Sequence, residues 1–262
     1  MTNKEFVAKA IDIAKNYKTC YVWGAFGWPM TAQNKKRIIA EYTHNQTAAN
    51  QAIINACTAD TFGFDCVNLI KAILWGWSGD KSKSYGGAKY NTSVCPDVGA
   101  NTMITLCKDV KAGDWQNIVP GEVVWLSGHI GIYVGDGVVV EATPRWSGNV
   151  QKTALGNIGG VPGMNSRTWT RHGKLPWVTY ETEKETKPLS GDFAVGEIVD
   201  FVGNTHYGNE YAASGYRAKP GPAKVTIVRG GNPPHPIHVI HTDNTSNVYG
   251  WVNKNDIKKR SK

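Results

Sequence analysis

The sequence predicts an α+β protein. Helical periodicity runs through most of the first 120 residues, short β-branched runs begin at Gly121, and a last stretch of short strands is broken by Gly, Pro, Asn and Ser. Between Thr179 and Gly191 the chain turns charged and loses its apolar anchors, as in Glu181-Thr182-Glu183-Lys184-Glu185, which is how a linker reads. The expected layout is therefore a domain over 1–178 with helices packed on an antiparallel sheet, a linker over 179–191, and a small all-β domain over 192–262. A β-barrel is the natural form for about 65 residues of that kind.

From Thr2 to Lys18, Phe6, Ala10, Ile13, Ala14 and Tyr17 share one helical face. The stretch lacks the uninterrupted apolar core of a signal peptide, so it is expected to be a helix of the mature fold, in a protein made in the cytoplasm without such a signal. Cys20-Tyr21-Val22-Trp23-Gly24-Ala25-Phe26-Gly27 is aromatic and glycine-rich, which suits a cleft wall better than a helix. A helix-prone polar stretch follows from Thr31 to Ala59. Gly63 then turns the chain into Asp65-Cys66, after which Leu69, Ile70, Ile73 and Leu74 recur at helical spacing to about Trp77. Ser78 to Gly99 reads as loop, and a short helix is expected near Asn101. Beyond Pro120, Glu122–Leu126, His129–Val134 and Val138–Ala142 are strand runs, the last two joined through Gly135-Asp136-Gly137.

No run approaches the roughly 18 apolar residues of a membrane span. The five cysteines are an odd number without a CxxC pair, which argues against both a disulfide framework and a structural zinc site. The formal charge is +8, concentrated in the first domain, and suits an anionic polymer. The chain has no arginine-rich run, zinc-finger spacing or phosphate loop, so nucleic acid is not the expected partner. His235, His238 and His241 alternate across a strand with no Cys nearby, which argues against a metal site.

Cys66 is expected on the first turn of a buried helix. There the helix dipole and free N–H groups stabilise a thiolate and lower the thiol pKa toward neutrality, although a buried Cys also serves as a small hydrophobe. A nucleophilic thiol needs a base, and the base needs a third group to orient it. His129 opens a strand after the Gly128 turn and is the candidate base. Glu141, Asn149 and Gln151 are candidates for the third group, Glu141 foremost because it lies among apolar residues. Register decides whether it can serve. A two-residue hairpin loop would put Glu141 opposite Ile132 and away from His129, whereas a three-residue loop or a bulge would put it opposite Gly131 and on the His129 side.

Tyr21-Val22-Trp23-Gly24, Phe64-Asp65-Cys66 and Gly128-His129-Ile130-Gly131-Ile132-Tyr133-Val134-Gly135 resemble, in order, the signature blocks of the NlpC-type, papain-like cell-wall peptidases. The resemblance covers roughly residues 1–178. It implies Cys66 as nucleophile, His129 as base, a cleft lined by Tyr21 and Trp23, Asp65 against the substrate amine, and no metal or organic cofactor. Two departures stand out: Val67-Asn68 replace the usual Ser-Gly, and Glu141 replaces the usual His, Asn or Gln.

The C-terminal segment, above all Val248-Tyr249-Gly250-Trp251-Val252-Asn253, resembles the SH3-like wall-binding barrels of lysins. Tyr207, Tyr211, Tyr216 and Trp251 are its candidate stacking residues. Together the two resemblances imply a phage-type lysin that hydrolyses an amide bond of the peptidoglycan stem peptide, commonly the bond after γ-D-glutamate, and reaches the wall with the help of a holin, without inserting into the membrane itself. An N-acetylmuramoyl-L-alanine amidase with the same dyad and a non-catalytic wall-binding protein are the alternatives.

Overall fold

The computed structural model describes residues 1–181, 193–229 and 233–260. The chain divides into two compact units, Met1–Glu181 and Thr182–Lys262. Of the expected linker, residues 182–191 lie outside the described residues. Its first three belong to the first unit: Asn3 N–H donates to Thr179 O at 2.9 Å and the Tyr180 hydroxyl donates to Gly121 O at 2.7 Å.

Five α-helices stand in the first unit: α1 (Asn3–Asn16), α2 (Ala32–Glu41), α3 (Ala48–Ala56), α4 (Cys66–Leu74) and α5 (Ala100–Leu106). Each of the first four begins where a short polar side chain takes up a free N–H. Thr2 makes a reciprocal capping box with Glu5, Thr31 and Thr47 cap α2 and α3, and Asp65 caps α4. The helix-prone stretch from Thr31 to Ala59 is thus two helices split by a 3₁₀ turn, and the Cys66 helix ends three residues earlier than its periodicity suggests. Between Ser78 and Gly99 the only described helical structure is one short turn, Ser84–Gly87.

The aromatic segment after α1 is extended. β1 (Thr19–Tyr21) and β2 (Phe26–Pro29) flank β3 (Phe62–Phe64) in a small sheet that delivers the chain to α4. A second sheet is built from β4 (Lys108–Lys111), β5 (Val123–Leu126), β6 (His129–Gly135), β7 (Val138–Ala142), β8 (Val150–Leu155), β9 (Ser166–Arg167) and β10 (Arg171–Lys174), in the order β4-β10-β5-β6-β7-β8-β9. All its pairs are antiparallel except β8 with β9.

Strand alternation sorts the two faces of this sheet. Ile130, Ile132 and Val140 face α1 and α4, where they meet Phe6, Ile13, Leu69 and Ile70. Each such fully buried apolar side chain contributes on the order of 1.5–3 kcal/mol. On the other face Val124, Tyr133, Val139, Leu155 and Trp169 form a separate apolar cluster. In α4 every residue from Cys66 to Ile73 is buried. A helix so enclosed holds its first residue in a fixed place.

The second unit contains β11 (Ile198–Phe201), β12 (Thr205–Tyr207), β13 (Gly215–Arg217), β14 (Gly221–Val228), β15 (Ile237–His241), β16 (Tyr249–Val252) and β17 (Ile257–Lys259) around Val199, Phe201, Val225, Val239 and Val252. Its order is β13-β12-β16-β15-β14-β11-β17. The expected closed barrel is not formed: among the described residues β13 pairs only with β12, and β17 only with β11. Both edges are three residues long and offer little ladder to each other.

Of the four candidate stacking residues in this unit, Trp251 is buried and Tyr207 stacks on His235 at 3.4 Å, whereas Tyr211 and Tyr216 are exposed. Each of the three histidines has its own local partner, His235 in Asn253, His238 in Thr226 and His241 in Asp243 O. Among the described residues no group of three His, Cys, Asp or Glu could hold a metal ion.

Candidate active site

Cys66 is the first helical residue of α4 and follows its cap. The Asp65 carboxylate is wholly engaged. Oδ1 accepts the Asn68 N–H at 2.8 Å, and Oδ2 accepts the Gly24 N–H and the Asn68 side-chain amide, both at 2.8 Å. One carboxylate therefore fixes the start of α4 and the loop that carries Trp23. Gly24 is required there, because its φ is +83° and a Cβ would stand 2.4 Å from the Tyr42 ring. Asp65 is only 6% exposed, and its carboxylate is taken up by these N–H groups. Val67 and Asn68, the residues that depart from Ser-Gly, are also buried, Val67 in the core and Asn68 against Asp65.

Cys66 is buried where α4 packs on β6, in one apolar cluster with Ile130, and the backbone N–H groups of Ile130, Val67 and Cys66 itself act to lower its pKa. Cys66 therefore packs against the strand that His129 opens, in the same cluster as the residue that follows His129. Thiol and base share one corner of the sheet.

The thiol is not acidified. Burial, with the Asp65 charge adding to it, pushes its pKa up to about 12 against the three N–H groups. The lowered pKa expected of a helix N-terminus is therefore corrected: the local sequence provides the helix end, but the whole fold encloses it, and desolvation outweighs the dipole. The resting sulfur is a neutral thiol.

His129 opens β6, and its imidazole stacks on Trp169 at 5.4 Å with 12° between the planes. Its Nε2 meets Glu141 Oε2 at 2.6 Å. The β6–β7 hairpin carries the register shift that this contact needs. Ile132 pairs with Val140 and Tyr133 with Val139, and a bulge follows at Gly135, so Glu141 comes opposite Gly131 and on the His129 face.

Glu141 has no exposed surface, yet it is the best supplied carboxylate of the unit. Besides the His129 contact, the Thr153 hydroxyl donates to Oε1 at 2.7 Å and the Arg167 Nε–H reaches both oxygens at 3.2 and 3.0 Å. Burial alone would raise its pKa. The bonds and charges of His129, Thr153 and Arg167 outweigh that, and the carboxyl is held below its ordinary range. An ionised Glu141 keeps the His129 proton on Nε2 and leaves the Nδ1 lone pair to act as base.

Asn149 and Gln151, the other candidates for the third group, lie outside this network: Asn149 accepts from Ser147 and Gln151 donates to Arg145 O. Arg167, Thr153 and Trp169 complete the site without any local signal in the sequence. Arg167 sits on a two-residue strand 26 positions from Glu141, and no local pattern marks such a partner.

Tyr21 is half-buried close to the thiol. Burial first, then the neighbouring acidic groups Cys66 and Asp65, raise its phenol pKa well above the usual value. The same ring forms one wall of a shallow concavity beside the thiol corner, and Trp23 forms another.

A second His–Glu pair is buried elsewhere in the sheet, with His172 Nδ1 2.5 Å from Glu122 and Nε2 on Gly113 O. Both of its nitrogens are occupied within the fold, so it reads as a strut. Compared with known proteins, the chain matches no family model and no curated protein. The functional reading therefore rests on the geometry.

Proposed function

We propose that this chain is a peptidoglycan hydrolase of the lysin type. Its first unit would act as a papain-like cysteine peptidase, and its second would be an SH3-like module that holds the wall. One observation carries the reading: Cys66, at the start of α4, packs against the strand that His129 opens, and His129 is oriented through Nε2 by the buried, ionised carboxylate of Glu141.

In this account Nδ1 of His129 takes the thiol proton as sulfur attacks the scissile carbonyl. The oxyanion forms beside the Cys66 N–H at the helix start. His129 then passes its proton to the leaving amine, a thioester remains on Cys66, and water activated by His129 releases the acid. A neutral resting thiol suits this order of events, because the proton has one acceptor and moves only when substrate is in place. The bond after γ-D-glutamate is the first expectation.

The formal charge of +8 favours an anionic wall as partner. Among the described residues no helix is long and apolar enough to cross a membrane, and release through a holin belongs to the same proposal.

The depth of the thiol favours a second reading, a wall-binding protein with a disused cleft, since Cys66 is only 5% exposed. Mass spectrometry of muropeptides from digested sacculi separates the readings. A new amine on the residue after D-glutamate marks the endopeptidase, a free L-alanine amine marks the amidase, and binding to sacculi without new termini marks the disused cleft.

A further inference from the structure

The concavity beside Tyr21 is built largely by a part of the chain that the catalytic reading does not use. α3 and the 3₁₀ turn before it, Thr43–Gln46, supply His44, Asn45, Asn50, Ile53 and Ile54, which face Tyr21 and Trp23 across it. Its enclosed volume is only about 60 Å³, room for a small substituent such as an acetamido group, and the rest of it lies open on the surface.

Its chemistry is selective. No Asp, Glu, Lys or Arg lines it. A carboxylate or amine of a stem peptide would lose water there without gaining a counter-charge. Trp23 is 42% exposed, and its ring is braced from one side by His44 at 4.8 Å, which leaves aromatic surface open. The loop beneath it is pinned, because the Asn45 amide donates to Trp23 O at 2.9 Å and to Ile38 O at 3.1 Å.

Asn45 is 1% exposed, and with both bonds made through Nδ2, its Oδ1 accepts nothing among the described residues. Asn50 likewise donates through Nδ2 to His44 O at 2.7 Å and keeps Oδ1 unengaged among the described residues. An open aromatic face, two unused amide acceptors and no formal charge suit a neutral ring that bears N–H and O–H donors.

We propose that this concavity is a subsite for an N-acetylhexosamine, in which the apolar face of the pyranose stacks on Trp23 while its acetamido N–H and hydroxyls donate to Asn45 Oδ1 and Asn50 Oδ1. The inference deepens the hydrolase reading: Tyr21 belongs to both this wall and the thiol corner, so a sugar seated here keeps the glycan end of a substrate beside Cys66.

The test uses the full-length Cys66→Ala protein and tri-N-acetylglucosamine, followed by saturation-transfer NMR at the acetyl methyl protons. The expected result is saturation that weakens about tenfold in Trp23→Ala, the loss of one aromatic stacking contact. Ile53→Glu, at a side chain 52% exposed, places a charge at the rim without removing core volume. It should weaken binding similarly, with an unchanged melting temperature.

Absence of saturation, or saturation that neither substitution alters, would overturn the subsite. Activity is read separately. Wild-type protein that cleaves disaccharide-linked and sugar-free stem peptides with equal kcat/KM would also reject the subsite while leaving the hydrolase intact. Trp23-dependent sugar binding in a protein that cleaves neither would keep the subsite and reject the hydrolase.

Discussion

His129 Nε2 and Glu141 Oε2 stand 2.6 Å apart on neighbouring strands, one at the rim of the sheet and the other with no exposed surface. The contact exists because one extra residue at the hairpin bulge moves Glu141 to the His129 face. It fixes the proton on one imidazole nitrogen and frees the other.

Glu141→Gln keeps the shape and a carbonyl acceptor but removes the charge that stabilises imidazolium. The expected result is a fall in kcat of about 100-fold with little change in KM. Steady-state kinetics on purified muropeptides checks it, and an unchanged kcat would remove Glu141 from the mechanism.

The same carboxylate sets a pH dependence of stability. Its pKa is depressed in the fold, so its stabilisation is complete above the ordinary carboxyl value of 4.5 and is lost as pH falls through the lower folded value. Melting temperatures of wild type and Glu141→Gln measured between pH 6 and about pH 2 should converge toward the acid end. Parallel curves would contradict the depressed value.

Arg167→Ala leaves Glu141 buried with only His129 and Thr153 as partners. Removing one member of a buried ionic set costs about 3 kcal/mol. Urea denaturation should show that loss, and Arg167→Lys should recover only part of it, because a lysine places one ammonium where the guanidinium N–H now spans both oxygens.

The Cys66 thiol, held up at about 12, should alkylate slowly at neutral pH. Peptide mapping after iodoacetamide treatment, read at Cys66 alone, should give a rate that climbs through about pH 9 without a plateau near neutrality. A plateau already reached in mild acid would mean a preformed thiolate–imidazolium pair and would contradict the neutral resting state.

Much of this site could be read from sequence because its signals are local. Asp65 before a 3.6-residue apolar repeat places Cys66 at a helix start, and the Gly128 turn before a β-branched run places His129 at a strand start. The side of the sheet on which Glu141 falls depends on a single residue of bulge, which the Gly135-Asp136-Gly137 sequence permits without dictating. Arg167 and Thr153 could not be foreseen, since nothing near them in the chain marks their meeting with Glu141. The thiol pKa is not legible for a related reason: the dipole is a property of one helix, whereas the burial that raises the pKa comes from α1, α5 and the sheet together. The split of Thr31 to Ala59 into two helices was likewise hidden, and with it the wall that faces Trp23.

The central claim is that sulfur at position 66 performs the chemistry, and digestion of purified sacculi by wild-type and Cys66→Ser protein tests it most directly, with new stem-peptide amines counted by mass spectrometry. The account predicts new amine termini from the wild type and none above background from Cys66→Ser, although both proteins bind the sacculi equally. Equal cleavage by the two would contradict it.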